Sequence, residues 1–412
     1  MPITKQSQPI KTVKQHLEDA GYKAEELIPM AAILHHAGGL DGIIKPFPQL
    51  NLEQKTIFKN PGYKQAGNIL YDHLQNKQYE NILSKEYSFD DFLEELQENF
   101  FRKYRGDNER SQITNTAEDL EPLKTGLVDL FKKAGLVTEV LPTKTQYDAA
   151  LVFGATYVSM EDRLQYLLKM QKEGRINSIP PIYVLAGARD LWFNHKSDKY
   201  VPEMIAQKIN IAQSANPEIT PEQIKEKGME IFNNARENDK KNEGEARKAV
   251  AKYFQNTYKI TWPTEADAAK YLMQKYQNDN PKLITEYHIV NAPKKSNGNR
   301  PDTFDTIKQF ITDIKLKPEF MARQGKEINI LACSEQPYVN SQNATLKYLQ
   351  KSLKNSHTET IGPASQKFAQ DNIDEIKNAS VKIILSEIAG QFYKTKQVAQ
   401  ALAKQKSNMG LA

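Results

Sequence analysis

The chain has 412 residues, 26% charged and 39% hydrophobic, a globular composition with length enough for two domains. A net charge of +5 over that length is too weak and too dispersed for a nucleic-acid binder, whose Lys and Arg cluster against phosphate. No run approaches the ~18 apolar residues that span a bilayer, and the single cysteine, Cys333, excludes an internal disulfide and argues against a thiolate metal site. The segment Met1 to Ile10 is polar and has no signal-peptide core, so a cytoplasmic location is expected.

Residues 1–142 read as a helical lobe. Ile10 to Ala20, Ala24 to His36 and Leu52 to Leu74 carry apolar residues at three- and four-residue spacing. Gly38-Gly39 and Pro46/Pro48 are breaks between helices. Ser88 precedes Phe92, Leu93, Leu96 and Phe100 as a helix cap should. Leu120 to Ala134 is amphipathic and closes on Gly135. No β-branched alternation marks a strand here.

The pattern changes after Pro142. Ala149 to Phe153 is a short apolar run, followed by a helix from Met160 to Lys172 that Gly174 ends. Ile182 to Ala186, Ile284 to Val290 and Ile328 to Ala332 are further runs, with Thr358 to Ile361 as a fifth. Helices are expected at Thr303 to Ile314 and Ala344 to Leu353. Short apolar runs alternating with helices predict an α/β fold, a Rossmann-like parallel sheet with helices on both faces. Right-handed crossovers put every strand C-terminus on one edge, where such sheets bind ligands. Residues 143–412 thus form the α/β domain. Its helical insertion, 193–262, contains helix-like Pro217 to Lys227 and Gly228 to Phe254 and is either a solvated excursion or a lid.

The candidate ligand residues stand at the strand ends. Gly154-Ala155-Thr156 follows the first strand, where a glycine lets backbone approach a ligand and a helix N-terminus offers N–H groups. It is not a GxGxxG fingerprint. Arg163, in the following helix, can reach back to an anion with its two-pronged guanidinium. Gly187-Ala188-Arg189-Asp190 occupies the equivalent place after the second strand, and Trp192 and His195 follow. A lone His is no metal site, and no metal is expected.

Thr264 and Asp267 form a capping box, while Glu265 either favours the helix dipole or points at a ligand hydroxyl. Asn299 to Thr306 is the densest polar cluster. Asp302 or Thr303 can cap its helix, but capping leaves Arg300 and Thr306 unexplained. After the fourth strand, Ser334, Gln336, Tyr338 and Asn340 are the adaptable polar side chains of a small-molecule site. Cys333 is expected to be a small buried residue beside them.

The order of these motifs resembles the uncharacterised Rossmann-like family that includes the bacterial proteins YdcF, SanA and ElyC. The matching stretches are Gly154-Ala155-Thr156, Arg163, Ala186-Gly187-Ala188, Thr264-Glu265-Ala266, Arg300 to Thr306, Cys333-Ser334 and a closing segment from Ile384 to Tyr393. The resemblance covers roughly residues 147–396. It departs from the family pattern at Arg300, where the family has Ser, and at Thr306, where it has Asn. Gln336, Tyr338 and Asn340 replace a His and an Arg. The resemblance implies a Rossmann-like domain. It also implies S-adenosylmethionine or another nucleotide-like ligand as cofactor.

Three functions remain open at this level. One is a binding or transferase-type protein holding a phosphate-bearing or nucleotide-like small molecule at the strand edge. Another is a phosphoester hydrolase using the same arginines and a carboxylate. The third is a non-catalytic interaction protein, a bacterial effector whose residues 1–142 meet a protein partner.

Overall fold

The computed structural model describes residues 10–37, 83–105, 113, 124–192, 200–213, 219–239, 241–296, 300–315, 326–353, 355–368 and 375–408. Leu52 to Leu74, Gly38-Gly39, Pro46/Pro48, His195 and Asn299 lie outside the described residues. Strands are numbered in chain order, beginning with β1 (Lys11–Thr12) and β2 (Glu86–Tyr87).

Every residue of β3 (Ala149–Phe153) and of β4 (Ile182–Gly187) is buried. Continuous burial is what a strand covered on both faces requires. These two pair in parallel, Ala150 opposite Ile182 and Phe153 opposite Leu185. On its other side β3 pairs in parallel with β6 (Ile328–Cys333), Ala149 opposite Ile330. β5 (Tyr287–Ala292) continues the parallel sheet beyond β4, with Ile182 opposite Tyr287. β7 (Ser356–Ile361) closes the other edge beside β6, completing the order β5-β4-β3-β6-β7. The bonds Ile328 N–H to Asn355 O and Ser334 N–H to Ile361 O advance together, so this pair is parallel too.

The order reverses between β3 and β6. In an open parallel sheet, that switch opens a crevice at the strand C-termini. The helices Tyr157–Lys172 and Glu265–Asp279 pack on each other and on the sheet, and Thr303–Lys315 packs on β4 and β5. Right-handed crossovers put the first two on one face and the third on the other. There Phe310 meets Tyr183 edge-on, ring centroids 5.0 Å apart.

The third strand begins three residues later than Ile284. Ile284 is fully buried, yet it precedes the strand, and the β5 side chains Tyr287, His288 and Ile289 are only half-buried. An edge strand exposes part of its surface, so apolar content alone misplaces its start.

The chain divides into two compact units. One comprises residues 142–333 and 349–359; the other comprises 1–141, 334–348 and 360–412. The boundary read from the sequence, 142/143, lies one residue from the division at 141/142, and residues 334–348 and 360–412 group with 1–141 instead of with the α/β domain.

In that unit, the helices Ala24–His36, Phe89–Leu96 and Lys124–Lys133 share an apolar core with the helix Asn378–Asn408. Phe92 packs edge-on against Phe392, 5.1 Å between centroids. The lobe is helical but not wholly so. Lys11–Thr12 and Glu86–Tyr87 pair as a two-residue antiparallel ribbon, and the first helix starts after it, at Val13. Thr12 caps that helix, which is why the expected start at Ile10 is three residues early. Ser88 accepts the Asp91 N–H at 3.1 Å, and Gly135 takes φ +66° beyond its helix, the left-handed cap that glycine provides without cost to a side chain.

Within the insertion, the helices are Val201–Gln213, Pro221–Glu237 and Glu243–Tyr258. The break falls in the polar stretch around Asp239, not at 227/228. Ile224, Val250, Phe254 and Trp262 are buried, so these helices carry apolar packing of their own.

Candidate functional site

Beyond β4 the chain does not turn away at once. Asp190 forms an antiparallel bridge with Thr264, the Glu265 N–H donates to Arg189 O at 2.8 Å, and the Leu191 N–H donates to Pro263 O at 3.1 Å. This clasp delivers the start of the Glu265–Asp279 helix to the C-terminal edge of the sheet. Thr264 caps it: its N–H donates to Asp267 Oδ2 at 2.8 Å and its hydroxyl donates to the same oxygen at 3.1 Å.

Glu265, one residue on, points back at β3. Its carboxylate is 8% exposed and accepts from Arg189 Nε at 2.9 Å. Its Oε1 lies against Gly154 so closely that a Cβ there would overlap it, and would overlap the Leu185 carbonyl as well. Gly154 is therefore required for close approach, but what approaches is the protein's own carboxylate.

Two further arginines act on Glu265. Arg163, 3% exposed, donates from one terminal nitrogen to Phe153 O at 2.6 Å and Gly154 O at 3.1 Å, tying its helix to the end of β3. Its own carbonyl accepts from the buried Cys333 thiol at 3.0 Å. Arg189 also donates to Ala155 O at 3.0 Å. Arg300 is exposed and near enough for its charge to act on the same carboxylate. Burial pushes the Glu265 carboxyl above its ordinary value. The charge and hydrogen bond of Arg189, then the charges of Arg163 and Arg300, oppose it without cancelling it. Three guanidinium groups thus act on one carboxylate.

Thr156 caps the helix that begins at Tyr157; its hydroxyl accepts the Ser159 N–H at 3.5 Å. Tyr157 is fully buried, its ring packed on Tyr200 and Tyr271 at centroid distances of 4.5 and 6.2 Å. The helix N-terminus thus opens beside Gly154 with its dipole directed at the same edge.

Several expected ligand residues have local structural work. A Cβ at Gly187 would collide with the Pro301 ring, so that glycine seats Pro301. Asp302 accepts the Phe304 and Asp305 N–H groups at 2.8 and 3.1 Å, and Asp305 accepts the Asp302 N–H in return. Burial pushes the Asp302 carboxyl up, but the Lys295 ammonium at 2.9 Å and these N–H bonds outweigh it and hold the group low. Thr303 opens the helix, and the Thr306 hydroxyl donates to Thr303 O at 3.0 Å. Capping therefore accounts for Asp302, Thr303 and Thr306 without a ligand.

Ser334, Gln336 and Tyr338 belong to the other unit. The buried Ser334 bonds through its N–H to Ile361 O, and Gln336 Nε2 donates to both Gly135 O and Thr138 O at 2.8 Å. Tyr338 starts a helix, its N–H donating to Glu335 O. Gln336 is a pin between backbone segments of that unit.

Sequence reasoning missed the lysine pair after β5. Lys294 binds Asp190, and Lys295 bridges Asp302 and Asp305 at 2.9 and 3.2 Å. Two lysines directly after a strand end were the available signal. Among the described residues no group of three or more His, Cys, Asp or Glu side chains could hold a metal ion, and no helix is long and apolar enough to cross a membrane. A scan against protein-family models and searches of curated proteins and of solved structures return no match to the chain.

Proposed function

We propose that this protein binds a phosphate-bearing, nucleotide-like small molecule at the C-terminal edge of its parallel sheet, as a binding or transferase-type protein. One observation carries the reading. The carboxylate of Glu265 is buried against Gly154, paired with Arg189 and within reach of the charges of Arg163 and Arg300. Three guanidinium groups gathered beside a helix N-terminus, near the topological switch of the sheet, suit an anion. Arg300, exposed, supplies the first contact, and the buried Arg163 and half-buried Arg189 hold the rim rigid. The motif order from Gly154 to Cys333 supports distant kinship with the YdcF, SanA and ElyC proteins as part of the same proposal.

The test is a thermal-shift panel of nucleotides, S-adenosylmethionine and sugar phosphates. A ligand that binds only the folded chain raises its apparent stability by mass action, about 2.7 kcal/mol at a hundredfold excess over Kd. The shift should vanish in Arg163→Ala and Arg300→Ala. A panel with no response, or a shift that survives both substitutions, contradicts the proposal.

A further inference from the structure

The helix Val13–Asp19 has 7 residues, too few to hold itself in water. The ribbon before it pairs only Lys11 with Tyr87 and Thr12 with Glu86, which is marginal alone as well. Polar ties hold its two ends: the Val13 N–H donates to Lys85 O at 2.9 Å, and Lys347 Nζ donates to Glu18 O at 3.0 Å. Between them the helix is anchored by the buried side chains of Val13, His16 and Leu17. One of these anchors can take up a charge. The His16 ring is fully buried, stacked on Phe92 at 4.8 Å and against Phe89 at 5.0 Å. Nε2 stands 3.4 Å from Tyr87 O, and Nδ1 has no partner among the described residues. A second ring proton finds no acceptor there, and the charge it brings is cut off from water.

We infer that His16 is an acid-sensitive latch: its protonation frees residues 11–19 from β2 and from the helix Phe89–Leu96, while the parallel sheet stays closed. The groups around the ring set the sign. Burial holds the imidazole below its ordinary value; the Tyr87 carbonyl raises it, Lys11 on β1 lowers it and Asp19 raises it, and Lys11 and Asp19 are paired with each other. On its own helix Lys14 and Glu18 are exposed and paired. On β2, Glu86 is exposed, and burial pushes the Tyr87 phenol up, so it stays neutral. The helix Phe89–Leu96 brings two phenyl rings; its Asp90 and Asp91 are exposed, and Asp90 is paired with Lys396. On the helix Ala24–His36, which packs on the same helix, Glu25 is exposed and Glu26 accepts the Lys23 N–H at 2.7 Å. An opened segment titrates near ~6.5, so acid favours the opened form from there down to the lowered folded value. Burial pushes the Glu26 and Asp129 carboxyls of the same unit up, so acid acts through them with the opposite sign.

The experiment is hydrogen–deuterium exchange of the full chain at about pH 7.5 and about pH 5.5, read peptide by peptide as protection corrected for the intrinsic pH dependence of exchange. Wild type should lose protection over residues 11–19 and 83–96, by about tenfold at most across that interval. Protection over β3 and β4 should stay level and serves as the internal reference. His16→Leu, which fills the site with a group that does not titrate, should show no regional loss in acid. If His16→Leu does not fold, His16→Gln, neutral at both pH values, carries the same expectation. Wild-type protection over residues 11–19 that is unchanged in acid, or a loss spread evenly over the whole chain, overturns the latch. The same regional loss in the His16 variant overturns it too, since another group would then be the trigger.

Discussion

Gly154 and Glu265 touch with no room for a methyl group between them: a Cβ on residue 154 would overlap both Glu265 Oε1 and the Leu185 carbonyl. The carboxylate can move, but the carbonyl belongs to β4 and cannot. Gly154→Ala should therefore destabilise the protein by roughly 1–3 kcal/mol, the usual cost of overpacking. Adding Glu265→Ala should recover only part of it. Denaturant midpoints of the two variants check this; full recovery in the double variant would show that Leu185 yields.

Gly187 provides a contrast. There the obstacle is the ring of Pro301, a side chain in a connecting segment. Gly187→Ala should cost less than Gly154→Ala by the same measurement, and Gly187→Ala combined with Pro301→Ala should recover most of the loss.

Removing Arg189 strands a buried carboxylate. Breaking a buried pair from one side costs about 3–5 kcal/mol, and Arg189→Ala should approach the lower figure because Arg163 and Arg300 remain. The pH dependence has a definite sign. Glu265 carries a raised folded-state pKa, so the folded chain holds the proton longer than the unfolded one, and stability falls as pH rises from the ordinary carboxylate value near ~4.3. Arg189→Ala widens that window. Its stability deficit against wild type should therefore be larger at neutral pH than in mild acid; a deficit that does not change with pH would mean that Glu265 is not the cause.

His16 makes an opposite prediction in the other unit. Its ring is fully buried between Phe89 and Phe92, at 5.0 and 4.8 Å, and Nε2 sits 3.4 Å from Tyr87 O. Nδ1 has no partner among the described residues. Burial lowers the pKa most; the Tyr87 carbonyl raises it, the Lys11 charge lowers it and the Asp19 charge raises it, with burial prevailing. The unfolded chain then binds the proton more readily, so stability is lost as pH falls through about 6.5. The thermal midpoint should drop between pH 7 and pH 5.5, and His16→Leu should flatten that slope whatever it does to the midpoint itself.

The core of the sheet was legible because burial on both faces writes itself as short apolar runs: Ala149–Phe153, Ile182–Gly187 and Ile328–Cys333 fall within a residue of where the sequence puts them. Caps were legible because Ser88, Thr264 and Gly135 act on neighbours a few residues away. The partnership of Arg189 with Glu265 was not, since 76 residues separate them and nothing local requires the pairing. The same holds for Gln336, whose targets Gly135 and Thr138 lie about 200 residues earlier. The helix Asn378–Asn408 shows its apolar face in sequence, but amphipathicity says only that a face is covered. That it packs with the N-terminal helices depends on the surface offered by Phe92, Phe100 and Leu34.

That Arg163, Arg189 and Arg300 serve one anion is tested most directly by titrating adenosine monophosphate into wild type, Arg300→Ala and the remote surface variant Lys227→Ala. Binding in wild type and Lys227→Ala that falls at least about tenfold in Arg300→Ala is the expected result, a loss of roughly 1.4 kcal/mol for one charge-assisted contact. Equal affinity in all three proteins would place the ligand elsewhere and contradict the assignment.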